Sequence, residues 1–367
     1  MELYVKLNQK EATLMWTAKE YEDKDFDNLI ELEKDNYGDI CISNKDYLKW
    51  QYYSNPCGKA VIQLAVDHEN GNLAGEYVVI PMKIKAEQSI LNGTLSLNTL
   101  TRKEYRGQGV FTGLAEEVYK ECKNKKMIFT YGFPNQNSYP GFMKKLAFKE
   151  LGRVPLLLKP LDYRVIVEKK VNKYLSKIVP KFNSYKRYKM RSRNYELYDI
   201  NADNIRDIDV LWNKIKDNYK VIGVRDSLYI KWRYIDIPLR EYKILAIKKD
   251  NEILGYIIGN VREVDEICSG MIVDFVFDHN FIEVGEILLH GMMRYFKSNN
   301  VHLAGSLLMS NSKEYNLLNK NGFYRCPKFL EPQPFPVIYR SHINKGNNSC
   351  LYDFNNWFLT MGDYDVI

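Results

Sequence analysis

The sequence predicts an α/β (α+β) chain of two tandem units, each a mixed, mostly antiparallel sheet flanked by helices. Three observations carry that expectation. Residues 25–56 recur without a gap as residues 207–238. Around each copy, strand-like and helix-like segments follow in the same order. In the first unit only, a glycine turn, Arg106-Gly107-Gln108-Gly109, joins a strand to a helix. The length of 367 residues suits two domains of roughly 150 residues each.

A shift of 182 positions makes thirteen of the 32 aligned pairs identical, where about two or three would coincide by chance. Among them are Asp35/Asp217, Tyr37/Tyr219, Tyr47/Tyr229, Trp50/Trp232 and Tyr52/Tyr234. Each unit opens on a short strand, Thr13–Ala18 or Tyr195–Ile200. A helix follows, its apolar stripe made by Phe26, Leu29, Ile30 and Leu32, or by Ile208, Val210, Leu211 and Ile215. Next come the shared Tyr-x-Lys-Trp-x-Tyr segment and a hairpin. The first hairpin pairs Val61–Asp67 with Ala74–Lys83 across Glu69–Asn72, and the second pairs Tyr242–Lys248 with Ile253–Asn260 across Lys249–Glu252. In the first unit Thr94–Thr101 alternates as a strand, Phe111–Lys123 reads as a helix, and Met127–Gly132 as another strand. Pro134–Ser138 then opens a closing helix, matched in the second unit by Asn311–Phe323.

Four segments result: residues 1–159, a linker 160–194, residues 195–340 and a tail 341–367. Val165, Val167, Val171, Tyr174, Leu175 and Ile178 place one apolar stripe on a linker helix that Pro180 stops. The tail ends in the aromatic-rich run Trp357–Ile367, which is expected to pack near the acceptor side.

Composition narrows the class. The net charge of +7 is concentrated between Lys159 and Asn194, where twelve Lys or Arg face two acids, so the rest is slightly acidic. That argues against a general DNA-binding surface. The simpler reading of the basic segment is a solvated linker helix, and membrane contact through residues 160–194 is the lesser one. No apolar run approaches the roughly 20 residues that span a bilayer, and the N-terminus lacks a signal-like apolar core. A cytoplasmic location is therefore expected. Six scattered cysteines and five scattered histidines give neither a disulfide framework nor metal-ligand spacing, and no metal is expected. The 28 tyrosines are consistent with codon bias before they suggest pockets.

The chemistry centres on the glycine turn. A strand passing through glycines into a helix presents free backbone N–H groups and the positive end of a helix dipole, a seat for pyrophosphate. A side chain there would hold the phosphate off the amides. The turn is neither a Walker loop nor a dinucleotide fingerprint, since Gly-Lys-Ser/Thr and Gly-x-Gly-x-x-Gly are both missing.

Tyr105-Arg-Gly-Gln-Gly-Val-Phe111 before a helix resembles the coenzyme A loop, Arg/Gln-x-x-Gly-x-Gly/Ala, of the GNAT superfamily of N-acetyltransferases. Tyr131–Asn135 through Phe148 is similar to that family's later strand and helix, and Trp357–Ile367 to the end of tandem members from bacterial surface-glycan clusters. The resemblance implies acetyl-CoA as co-substrate, held by Leu100, Thr101, Arg106, Gly107, Gln108, Gly109, Val110, Phe111, Thr112, Asn135 and Asn137. The loop's last Gly/Ala is Phe111 here, whose amide survives. The family's tyrosine acid would fall at Met143, which leaves Tyr139, one turn earlier, as substitute. The strand Leu97–Thr101 has no carboxylate, so the base candidates are Glu76, Asp363, Asp365 and the carboxyl group of Ile367. In the second unit the corresponding stretch, Phe277–Glu286, has no Arg-Gly-x-Gly, and its acids would repel a pyrophosphate.

The implied reaction is acyl transfer, acetyl above all, to a small amine such as an amino sugar or a nucleotide-linked one, by direct attack on the thioester. Trp50, Tyr52 and Tyr53 could line an acceptor pocket, although recurrence of the first two in the second unit favours core packing. Two other readings stand: a Fem-type aminoacyl transferase, for which the basic segment would have to bind charged tRNA, and a binding protein that keeps the fold without catalysis.

Overall fold

The computed structural model describes residues 15–170, 194–343 and 349–364. Asp365, Ile367 and the expected linker stripe beyond Lys170 lie outside the described residues.

The first unit runs β1 (Trp16–Glu20), α1 (Phe26–Tyr37), α2 (Lys45–Tyr53), β2 (Val61–Asp67), β3 (Leu73–Ala86), β4 (Ser89–Thr101), α3 (Val110–Asn124), β5 (Phe129–Gly132), α4 (Tyr139–Lys145), β6 (Lys149–Arg153) and β7 (Leu156–Pro160). After α5 (Tyr163–Lys170) the second unit repeats the order. It comprises β8 (Tyr195–Asp199), α6 (Asp207–Ile215), β9 (Val221–Gly223), α7 (Ser227–Ile230), β10 (Lys243–Lys249), β11 (Glu252–Val264) and β12 (Ile267–Phe277). It continues with α8 (Ile282–Ser298), β13 (Leu303–Leu307), α9 (Lys313–Lys320), β14 (Tyr324–Arg325) and β15 (Pro336–Ser341), and the tail adds β16 (Trp357–Phe358). The hairpin strands are longer than expected, because β3 and β4 pair as far as Ala86 and Ser89. The opening strand is described over Trp16–Glu20, and its expected start at Thr13 lies outside the described residues. Local signals behave as their chemistry demands: Asn44 caps α2 through its Oδ1, and Ser312 caps α9 through its Oγ.

The two sheets have one plan. The first is ordered β1-β2-β3-β4-β5-β15-β6 and the second β8-β10-β11-β12-β13-β7-β14. In each, the two central strands, β4/β5 or β12/β13, run parallel while the other neighbours on these paths are antiparallel. Each unit also gives its last strand to the other. β15 lies between β5 and β6, while β7 lies between β13 and β14. Boundaries at residues 159 and 340 therefore describe the repeat but do not separate the sheets.

Packing makes the two units one body. One core cluster, including Trp16, Tyr77, Leu114, Val118 and Phe142, is confined to the α3/α4 face of the first sheet. The other cluster runs from α1 and α2 through the second unit to the tail without interruption. At its middle the repeat meets itself. The Trp50 and Trp232 rings stack 4.9 Å apart, and each indole N–H donates to the other's backbone carbonyl, at 2.7 and 3.2 Å. The reading of the shared Trp and Tyr as core is thus correct: Trp50, Tyr52, Trp232 and Tyr234 are all buried.

The tail packs along the second unit's central gap. β16 pairs with β9, which in turn pairs with β3. Beyond β16, Thr360 bridges to Leu308, just past β13, and the Met309 amide donates to Leu359. Gly362 is pressed on the Val273 carbonyl of β12, where a Cβ would come within 3.1 Å. The tail thus occupies the space where β12 and β13 part.

Candidate active site

The glycine turn is built as a phosphate seat. Gly107 and Gly109 have φ of +81° and +82°, and Gly109 is the N-cap of the fifteen-residue helix α3. The first amide to bond back is that of Gly113, to Gly109 O at 2.8 Å. Those of Val110, Phe111 and Thr112 are therefore left at the helix end without intrahelical acceptors. The loop is braced from below: Trp16 Nε1 donates to Gln108 O at 3.1 Å, and a Cβ at Gly113 would lie 2.6 Å from the Trp16 ring. Thr101, Tyr105, Arg106, Gly107, Gly109, Val110, Phe111, Thr112 and Lys145 line a cleft of about 350 Å³. Lys145, on the last turn of α4, was missed by sequence reasoning; it lines the cleft from a helix with no phosphate motif.

From Thr101 the strand leads inward to the gap between β4 and β5. Their last pair is Ser96 with Gly132, and beyond it they separate. At that point β4 bulges: Asn98 has φ of +41°, and its pairing with β3 slips between Glu76 and Val78. The path from Thr101 to Leu97 is about 13 Å at strand rise. A pantetheine arm seated by its pyrophosphate at the loop would follow it.

At the far end lies a narrow recess, lined by Trp50, Gln51, Ile80, Met82, Leu95, Leu97, Tyr229, Trp232, Arg233, Gly362, Asp363 and Tyr364. It opens on the sheet face opposite α3 and is shared by both units. Gln51 and Arg233 occupy the same place in the repeat, the variable position between Trp and Tyr, so their spacing held the missed signal. Tyr364, the last described residue, stacks on Phe133, immediately after β5, with centroids 4.0 Å apart. The tail therefore ends its described course at the gap.

The proposed acid and base residues fall in different places. The Tyr139 hydroxyl donates to Glu150 Oε2 at 2.5 Å, and that bond with partial burial pushes its phenol up. Asn135 Oδ1 accepts from the amides of Asn137 and Ser138, so it shapes the opening of α4. Leu100 is buried in the shared core and offers the cofactor only backbone. Glu76 is 1 % exposed and sits beside Glu33 beneath the sheet; burial, and the neighbouring Glu33 carboxyl, hold it well above the usual carboxylate range. Tyr52 lies next to this pair, and its hydroxyl accepts from Asn98 Nδ2 at 2.7 Å. Asn98 Nδ2 also donates to Gln51 Oε1 at 3.0 Å, which links the β4 bulge to the pocket wall. Asp363 is unsuited to act as base. Its Oδ2 accepts from Arg225 Nη2 at 2.6 Å and from the Thr360 amide at 2.8 Å. Arg225 in turn bonds Asp274 at 3.1 Å, and all three charged groups are buried.

The second unit's corresponding loop is closed by its own side chains. Asp278 pairs with Lys214 at 3.1 Å, and His279 meets Glu314 at 2.7 Å, which also accepts from Tyr219. Glu283 accepts from Tyr195. With the tail crossing the β12–β13 gap as well, this half has neither seat nor channel for a second pyrophosphate and arm.

Among the described residues no cluster of three His, Cys, Asp or Glu could hold a metal ion, and no helix is long and apolar enough to cross a membrane. Residues 17–149 match the family model described as acetyltransferase (GNAT) domain. No curated protein matches the chain. Among solved structures it is similar to N-myristoyltransferase from Saccharomyces cerevisiae with bound myristoyl-CoA (TM-score 0.61, 10 % identity, covering 90 % of this chain and 83 % of that one). It is also similar to a GCN5-related N-acetyltransferase from Anabaena variabilis (TM-score 0.64, 12 % identity, 89 % and 73 % covered). A conserved protein of unknown function from Enterococcus faecalis, described as a probable N-acyltransferase, matches at TM-score 0.62 and 10 % identity, with 89 % and 72 % covered. At these identities the likeness is one of fold, and it extends over both units.

Proposed function

Residues 17–149 are a GNAT acetyltransferase domain, and from that premise we propose that the chain is an acyl-CoA-dependent N-acyltransferase, with acetyl-CoA as donor and a small amine as acceptor. The observation that carries the reading is the glycine turn, with its free amides, positive φ glycines and Lys145 at the mouth of the β4–β5 gap. Arg106–Thr112 hold the pyrophosphate, Thr101 and Leu100 flank the arm, and Asn135 and Asn137 shape the facing wall. The thioester then lies near Leu97 and Tyr364, where an amine entering from the shared pocket attacks its carbonyl directly. The attack forms the amide and expels the thiolate, and it needs a base for the ammonium proton. Glu76, and the chain end past Tyr364 with Asp365 and Ile367, are the groups proposed for that step. Tyr139 is proposed as the acid for the thiolate. The acyl group we propose is acetyl, and an amino sugar is the acceptor.

Thermal shift tests this reading. Acetyl-CoA is expected to stabilise the wild type and not Gly109→Glu, whose side chain would fill the seat with negative charge. No stabilisation of the wild type would overturn the reading. Stabilisation of both would move the cofactor site elsewhere.

A further inference from the structure

Two arginines are buried at the centre of the molecule, and they are treated differently. Arg225 has two carboxylates, Asp274 and Asp363. Arg233 is 4 % exposed and has none among the described residues. Its Nε donates to Gly362 O at 3.3 Å and its Nη2 to Tyr364 O at 2.9 Å, while Nη1 is buried without a partner. Its other neighbours are aromatic: the guanidinium lies 6.0 Å from the Trp50 ring and 5.7 Å from that of Tyr234. Removing an unpaired cation from water is costly, and an aromatic face returns only part of that cost. Such a group persists where a ligand completes it.

The position of Arg233 says which ligand. It lines the pocket beyond the β4–β5 gap, on the face opposite the glycine turn, with Gln51 as its repeat partner and Trp50 and Leu97 as apolar walls. A guanidinium with a free N–H in a dry site matches a carboxylate in shape and charge. The cofactor arm reaches the gap from the Thr101 side, so the pocket is left to the acceptor. Resting on the acyltransferase reading above, we propose that the acceptor is an amine that also carries a carboxylate, as an amino acid or an amino-sugar acid does. Arg233 binds that carboxylate, and the amine is thereby turned toward the thioester near Leu97.

The test is binding by calorimetry of paired amines to the full-length protein in the presence of coenzyme A. The pairs differ only in the carboxylate: glycine and methylamine, 4-aminobenzoate and aniline, glucosaminuronate and glucosamine. The carboxylate member of at least one pair is expected to bind tenfold or more tightly. That advantage should vanish in Arg233→Gln and return in part in Arg233→Lys. Equal binding within every pair, no binding by any carboxylate member, or an advantage that survives Arg233→Gln would each overturn the proposal. So would a preference that shows only for succinyl-CoA over acetyl-CoA, since the carboxylate would then belong to the donor. A thermal shift with acetyl-CoA on the same preparations separates the two levels. Stabilisation without acceptor preference defeats this proposal alone, and its absence defeats the acyltransferase reading as well.

Discussion

At the scale of single residues, backbone chemistry was easier to foresee than side-chain partnership. Gly107 and Gly109 announce a left-handed backbone because other residues pay for it, so the conformation of the turn could be read directly. Arg233 could not, because its importance lies in what it lacks, and a missing partner leaves no trace in sequence. His342 is a similar case. Its Nε2 meets Thr130 Oγ1 at 2.7 Å, and burial, with Arg340 adjacent, lowers its pKa from 6.5 to about 4. The folded chain thus refuses a proton that the unfolded chain accepts between those values. Stability should be complete above pH 6.5 and fall as the pH drops toward 4, by up to about 1.4 kcal/mol per pH unit. Urea titrations at pH 7 and pH 5 check this. The wild type should lose more on acidification than His342→Gln, and an equal loss in both would exclude His342 as the source.

At the scale of elements, the repeat was legible because thirteen coincident residues survive in it, and the helices and hairpins followed from period and turn chemistry. The exchange of β7 and β15 was not legible. Both are short apolar strands, and nothing local tells such a strand which sheet to join. The stacked Trp50 and Trp232 join the units where the repeat faces itself. Trp232→Ala removes a buried indole, its stack and the hydrogen bond its N–H donates to Trp50 O, and should cost about 3–5 kcal/mol in chemical denaturation. Trp50→Ala should cost about as much, and the double variant should fall short of the sum by more than about 1 kcal/mol. Strict additivity would mean that the two rings act separately.

At the scale of the whole molecule, duplication has produced asymmetry. The first unit keeps the glycine turn, the brace by Trp16 and an open β4–β5 gap. In the second unit the equivalent loop is tied up by His279, Glu314 and Lys214, and the gap is filled by the chain's own tail. That tail is anchored by Arg225 and Asp363 and ends its described course against Phe133 in the first unit's gap. On the proposed reading, the second unit becomes the wall and the strap of the first unit's site. Titration calorimetry with acetyl-CoA tests this most directly. The account predicts one site per chain, abolished by Gly109→Glu and retained in His279→Ala; two sites per chain, or binding that survives Gly109→Glu, would contradict it.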